Sequence, residues 1–208
     1  MSKMELRTCV VGQVMTNCYI LKNTETDGIV IVDPGDAPGK ISRVIDALQG
    51  KPEGILLTHG HFDHILAVQE LCGKYNIPVY ACKEEEALLS DPSLSMAMSG
   101  SGCVIKADRY LVDGETFTVA GFSFQVLHTP GHTAGSCCYY IPEEGVLFSG
   151  DTLFCGSVGR TDFPTGSTSE IIQSLYRLLR ELPEETKVYP GHESETTIGY
   201  EKRYNPFV

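Results

Sequence analysis

The sequence predicts an α/β protein in which mixed β-sheets are covered by helices. Three observations lead there. Strand-like and helix-like segments alternate along the chain, several neighbouring strands read as hairpins, and four apolar strands each end in a turn that carries a metal-type ligand. The 208 residues are read as a single domain spanning 1–208, and a hydrophobic content of 42% is enough to bury a sizeable core.

Each element has a local reason. Residues 17–22 and 28–33 are apolar and β-branched, and the second run ends in the turn signal Asp33-Pro34-Gly35. Ile41, Val44, Ile45 and Leu48 keep helical spacing until Gly50 and Pro52 close the helix. A short buried strand, residues 54–57, runs into THGHFDH, and a helix from near His64 is expected to bury Ile65, Val68, Leu71 and Cys72. Residues 77–81 read as a strand and 83–89 as a short helix. Residues 93–103, rich in Ser, Gly and Met, read as a surface loop. Further on, residues 122–128 alternate as a strand. Residues 136–141 and 145–149 form a hairpin through Pro142-Glu143-Glu144. Ser167 and Glu170 suit a capping box for a helix carrying Ile171, Ile172, Leu175, Leu178, Leu179 and Leu182, which Pro183 stops. A final strand at 187–189 leads into Pro190-Gly191-His192.

Charge narrows the function. The net charge of −11 repels a phosphate backbone, so nucleic acid is not an expected partner. No apolar run reaches the roughly 18 residues of a membrane span, and the first residues lack an apolar signal core, so a cytoplasmic protein is expected. The eight cysteines show no CxxC pair and are expected as free, packed thiols.

The chemistry lies in the strand ends: ILLTHGHFDH, FQVLHTPGH, GVLFSGD and TKVYPGH. Ligands in α/β sheets gather outside the carboxyl ends of strands, so these four segments are expected to converge on one crevice. His59 and His61, two apart, face one way on extended chain, while Asp63 and His64 follow as the chain turns into a helix. One loop can thus serve two neighbouring ions. Imidazole and carboxylate without Cys suit a catalytic site for zinc, iron or manganese. Pro130 and Gly131 forbid a helix that would align His128 with His132, and spacing leaves open which of the two is a ligand. Asp151 suits a bridge between cations, and His192 supplies the last donor. Thr58 and Thr129 suit either hydrogen bonding to ligands or simple strand formation.

In order, T-H-x-H-x-D-H, H-T-P-G-H-T, S-G-D-T-L-F and Y-P-G-H-E resemble the metallo-β-lactamase superfamily across residues 58–193. Asp151-Thr152-Leu153-Phe154, Gly159-Arg160-Thr161-Asp162-Phe163 and the tail with Asn205-Pro206-Phe207 resemble its glyoxalase II-like hydrolases. The sequence ends 16 residues after His192, as in a short form without the helical C-terminal domain. The resemblance implies a four-layer αβ/βα sandwich, two mixed sheets flanked by helices. It implies two divalent ions, with zinc expected first. One takes His59, His61 and His132, the other Asp63, His64 and His192, and Asp151 bridges. It implies hydrolysis of a small-molecule thioester of the S-acylglutathione type by a hydroxide shared between the ions. Asp63 serves as the catalytic group and Arg160 faces an anionic part of the substrate. The GRTDF segment is also similar to persulfide dioxygenases with a single iron, which keeps that reaction as an alternative beside a non-catalytic metal-binding module.

Overall fold

The computed structural model describes residues 3–97 and 103–208. Strands β1 (Met4–Val11), β2 (Thr16–Asn23), β3 (Gly28–Val32), β4 (Lys51–Leu57), β5 (Val79–Cys82) and β6 (Arg109–Leu111) form one six-stranded sheet in chain order. The second sheet contains β7 (Thr116–Val119), β8 (Phe122–His128), β9 (Cys137–Ile141) and β10 (Val146–Gly150). After a small hairpin of β11 (Leu153–Phe154) and β12 (Ser157–Val158), it is completed by β13 (Lys187–Pro190) and β14 (Thr196–Thr197), in the order β14-β13-β10-β9-β8-β7. Both sheets are mixed. β1 to β3 pair antiparallel and β3 to β6 parallel, and in the second sheet only β10 and β13 are parallel neighbours.

The layers follow from strand alternation, which sends successive side chains to opposite faces. In the first sheet Tyr19, Leu21, Val30, Val32 and Leu56 point inward. They meet Phe117, Phe124, Val126, Tyr139, Ile141 and Phe148 of the second sheet. The alternate residues Ile20, Ile29, Ile31, Ile55 and Leu57 face outward, under α1 (Pro38–Leu48), α2 (Phe62–Ile65) and α3 (Val68–Tyr75). On the far side Leu127, Cys138, Tyr140, Leu147 and Val188 pack under α5 (Thr168–Glu181) and α6 (Ile198–Tyr204). The four-layer sandwich that the motifs imply is therefore present. Buried Leu175, Leu178 and Leu179 hold α5 down, each worth about 1.5–3 kcal/mol.

Three local details differ from the sequence reading. The helix expected from His64 is two helices, α2 and α3, divided at Leu66 and Ala67, although Ile65, Val68 and Leu71 are buried as expected. The capping box of α5 is half made. The Ser167 hydroxyl accepts the Glu170 N–H at 3.4 Å, but the Ser167 N–H donates to the Gly131 carbonyl at 2.8 Å rather than to Glu170. Of the Ser/Gly/Met segment, residues 98–102 lie outside those described, and its first part is not a plain surface loop. Ser95 is fully buried and its carbonyl accepts the Phe62 N–H at 2.8 Å. Strands β1, β6, β7, β11, β12 and β14 and helix α6 carry no distinct signal in their sequence. Residues 83–89 are a 3₁₀ turn followed by α4 (Glu86–Ser90). All eight cysteines are unpaired, six of them buried. No helix among the described residues is long and apolar enough to cross a membrane.

Topology sets the site. β8 is antiparallel to β9 and β9 to β10, while β10 and β13 are parallel, so β8, β10 and β13 all end at one edge of their sheet. Hydrogen bonds tie that edge to the first sheet. The Cys137 N–H reaches the Thr58 carbonyl at 2.9 Å, the Tyr139 hydroxyl reaches the Leu57 carbonyl at 2.9 Å, and the Tyr19 hydroxyl reaches the Pro190 carbonyl at 2.7 Å.

Candidate metal centre

The four ligand-bearing strand ends meet. His59, His61 and His132 each bring one nitrogen into a cluster whose atoms lie within 4.8 Å of one another, and Asp63, His64 and His192 form a second such cluster. The His61 Nδ1 and His132 Nε2 atoms are 2.9 Å apart. His192 Nε2 stands 3.3 Å from Asp63 Oδ2 and 3.4 Å from His64 Nε2. Asp151 lies between the clusters. Its Oδ1 is 3.5 Å from His64 Nε2, and its Oδ2 is 3.5 Å from both His132 Nε2 and His192 Nε2. His128 is elsewhere: its Nε2 bonds the Ala134 carbonyl at 2.9 Å.

The donor set fits a pair of divalent cations on its own chemistry. His59 Nε2, His61 Nε2 and Asp151 Oδ1 are buried without a hydrogen-bond partner among the described residues. A buried polar atom left unpaired costs about 1–3 kcal/mol, so this arrangement is explained by a ligand that accepts lone pairs. Burial, reinforced by His132, pushes His61 down to about 3, and burial with His64 holds His59 well below the usual imidazole range. Both rings are therefore neutral and offer lone pairs. The other half attracts positive charge. Burial opposes a charge on His64 and His192. The carboxylates of Asp63 and Asp151 overcome it, joined at His64 by Asp33, and raise the rings to about 9 and about 10. Asp63 and Asp151 are held below the usual carboxylate range. Burial pushes each of them up, but the surrounding imidazoles outweigh it. A divalent cation meets the same electrostatic demand as those imidazole protons.

The donor side chains are oriented from behind. The Asp33 carboxylate accepts His64 Nδ1–H at 3.0 Å, the Thr58 N–H at 2.8 Å and the Thr58 hydroxyl at 2.6 Å. Thr58 Oγ1 in turn lies 3.2 Å from His59 Nδ1, so Thr58 backs the His59 ring. Thr129 does not: its hydroxyl pairs with Thr152 at 2.9 Å. The Arg160 carbonyl accepts His132 Nδ1–H at 2.8 Å, and the Thr16 hydroxyl donates to Asp63 Oδ2 at 2.9 Å. Glu85, 1% exposed, accepts the Gly60 N–H at 2.8 Å, the Gly135 N–H at 3.0 Å and the Thr133 hydroxyl at 2.9 Å. It fastens the HxH loop to the His132 turn. Asp33 reads in sequence only as a turn residue and Glu85 only as part of an acidic helix, so neither reads as a site residue. Gly191 is required by proximity, because a Cβ there would overlap Asp151 Oδ1 and lie 2.8 Å from His64 Cε1.

A cleft of about 730 Å³ opens over the cluster. Its walls include Val14, Met15, Phe62, Met96, Phe154 and Phe163, with Asp63, Asp151 and His192 at its polar end. Arg160 lines it too, but its Nε and Nη2 each donate to the Asp162 carboxylate at 2.7 Å and the guanidinium lies 3.9 Å over the Phe163 ring.

The comparisons agree with this geometry. The model of the metallo-beta-lactamase superfamily matches residues 11–192. An uncharacterized protein of Aquifex aeolicus is 39% identical over 99% of this chain and 97% of its own length. The probable metallo-hydrolase YqgX of Bacillus subtilis is 38% identical over 99% and 98%, and the hydroxyacylglutathione hydrolase GloC of Haemophilus influenzae 36% over 92% of each. Among solved structures, the BLEG-1 B3 metallo-beta-lactamase superposes with a TM-score of 0.90 at 40% identity, covering 98% of this chain and 99% of that one. TTHA1623, in a di-iron-bound form, gives 0.83 at 39%, covering 97% and 100%. ETHE1 from Myxococcus xanthus gives 0.77 at 30%, covering 98% and 84%. By its motifs, its layered fold and these matches, the chain belongs to the metallo-beta-lactamase superfamily of metallo-hydrolases.

Proposed function

We propose that the protein is a dinuclear metal-dependent hydrolase of small thioesters of the S-acylglutathione type, working in the cytoplasm. The observation that carries this reading is the completeness of both donor clusters, with Asp151 facing each. His59, His61 and His132 would hold one ion, Asp63, His64 and His192 the other. Zinc is the first expectation, with iron or manganese as alternatives. A bound pair of divalent ions supplies Lewis-acid polarisation of a carbonyl and water of lowered pKa.

The chain's own residues do the rest. Asp63, anchored by the Thr16 hydroxyl and kept ionised by its imidazole neighbours, orients the attacking water and accepts its proton. Water adds to the thioester carbonyl, the C–S bond breaks, and the proton goes on to the departing thiolate. The Phe62, Phe154 and Phe163 side chains hold the acyl group against the cluster and thin out competing water. The 36% identity to a hydroxyacylglutathione hydrolase supports this substrate class.

A second reading, persulfide oxidation at a single iron, is supported by the likeness to ETHE1 and by the Gly159–Phe163 segment. Metal content per chain, measured with turnover of S-lactoylglutathione, a chromogenic cephalosporin and a thiol persulfide, separates the readings. Two ions with release of thiol from S-lactoylglutathione, lost about 100-fold or more in Asp63→Ala, are expected. One iron with oxygen uptake on persulfide, or cleavage of the cephalosporin alone, would overturn the proposal.

A further inference from the structure

Among the described residues, one more set of metal-type donors converges outside the centre. We propose that Cys82, Glu84 and His128 form a third, thiolate-containing binding site for a divalent ion of the zinc class. Their donor atoms all lie within 4.8 Å of one another, the spread expected of ligands around one ion. Cys82 ends β5 and His128 ends β8, so one residue from each sheet reaches this position, and Glu84 follows Cys82 on the 3₁₀ turn.

The chemistry of the three groups is complementary. The Cys82 thiol, 1% exposed, donates to Glu84 Oε2 at 3.0 Å, and that bond keeps the Glu84 carboxyl below its usual range. The hydrogen bond from His128 Nε2 to the Ala134 carbonyl places the ring proton on Nε2 and leaves the Nδ1 lone pair free. A thiolate, a carboxylate and a neutral imidazole together carry the two negative charges that offset a divalent cation. Binding exchanges one proton: the S–H bond breaks, the sulfur–metal bond forms and the proton leaves to solvent. Three protein donors leave a fourth, solvent-facing position for water. The Asp113 carboxylate accepts the His128 backbone N–H at 2.8 Å, and Arg177, paired with Asp113 at 2.9 Å, donates to the His128 carbonyl at 3.0 Å, so the end of β8 that carries the ring is fixed on both sides. The site shares no ligand with the main centre but adjoins its supports, because Glu85 follows Glu84 and the His128–Ala134 contact spans the His132 turn.

The main centre contains no cysteine, and the other partly exposed thiols, Cys72 and Cys155, lie outside both sites, so a sulfur-ligation signal that depends on Cys82 reports on the new site. The protein, loaded with two equivalents of zinc and kept in a phosphine reductant, is titrated with cadmium while the thiolate-to-cadmium charge-transfer band is followed. One further equivalent is expected to raise the band. Cys82→Ser should abolish it, and Glu84→Gln and His128→Gln should each weaken uptake at least tenfold, with circular dichroism unchanged. If Cys82→Ser fails to fold, the exposed Glu84→Gln variant carries the test. No band at one added equivalent, a band that survives in Cys82→Ser, or unaltered affinity in Glu84→Gln would overturn the proposal.

Discussion

Asp33 and His64 are joined by a hydrogen bond of 3.0 Å between Oδ2 and Nδ1, and this bond decides which nitrogen of His64 faces the centre. With Nδ1 held by Asp33, Nε2 faces Asp63, Asp151 and His192, where a bound ion would take the place of its proton. Asp33→Asn keeps size and the bond to the Thr58 N–H, but sets an amide N–H against the Thr58 hydroxyl and the His64 ring. The imidazole then loses its acceptor. Affinity for the second ion is expected to drop about 10–100-fold, as when the outer partner of a metal-bound histidine is removed. Competition with a chelator measures it. Unchanged affinity would show that the ring is oriented by packing alone.

Glu85 acts on both ligand loops at once. All its acceptor positions face donors: the N–H groups of Gly60 and Gly135 and the Thr133 hydroxyl. Glu85→Gln turns one oxygen into an amide donor facing other donors. We expect a loss of about 1–3 kcal/mol in urea unfolding, the cost of leaving buried polar groups unpaired. An unshifted midpoint would mean that the loops are held by their neighbours rather than by this carboxylate.

Metal uptake should depend on pH in one half of the centre. The metal-free protein binds a proton at His64 up to about 9 and at His192 up to about 10, because Asp63 and Asp151 favour the charged rings. Both folded values lie above the unfolded imidazole value. Each protonated ring therefore stabilises the metal-free fold fully below about pH 6.5, and that contribution is lost as pH rises through the folded values. A cation entering this half must displace these protons. Its affinity should climb as pH rises towards 9, with proton release at neutral pH visible as a buffer-dependent calorimetric heat. His59 and His61 are already neutral there and add no such dependence. Uptake without proton release would contradict this charge distribution.

How much was legible in the sequence follows from the physics of each part. Ile20, Ile29, Ile31, Ile55 and Leu57 announce strands by composition, and the α5 stripe announces itself by period, because both signals are local. The seven metal-type residues were legible because strand ends concentrate them. The choice of His132 over His128 was not: it depends on how the Pro130-Gly131 turn is seated against α5, a long-range contact, and only the family motif indicated it. Asp33 and Glu85 were hidden for the same reason, since their partners lie 25 or more residues away. β1 is hard to read because its exposed Thr8 and Val10 break the pattern of an edge strand that is only partly buried. Division of the expected helix at Leu66 and Ala67 reflects the Ala67 N–H donating to the Pro34 carbonyl at 3.0 Å, again a tertiary bond.

Arg160 has two parts with separable effects. Its carbonyl holds His132 Nδ1–H at 2.8 Å, whereas its guanidinium is closed on Asp162 and stacked on Phe163 at the cleft wall. Arg160→Ala removes only the second part. The exposed ion pair contributes little to stability because water screens it, so the variant should fold and bind metal as before. If the guanidinium leaves Asp162 to meet a substrate carboxylate, KM for S-lactoylglutathione should rise about tenfold with kcat held, while an uncharged thioester should show no change. Equal KM values for both substrates in Arg160→Ala would assign this side chain to shaping the Phe163 wall alone. A fall in metal content would instead mean that the side chain, through its pairing with Asp162, is what keeps the Arg160 carbonyl in place behind His132.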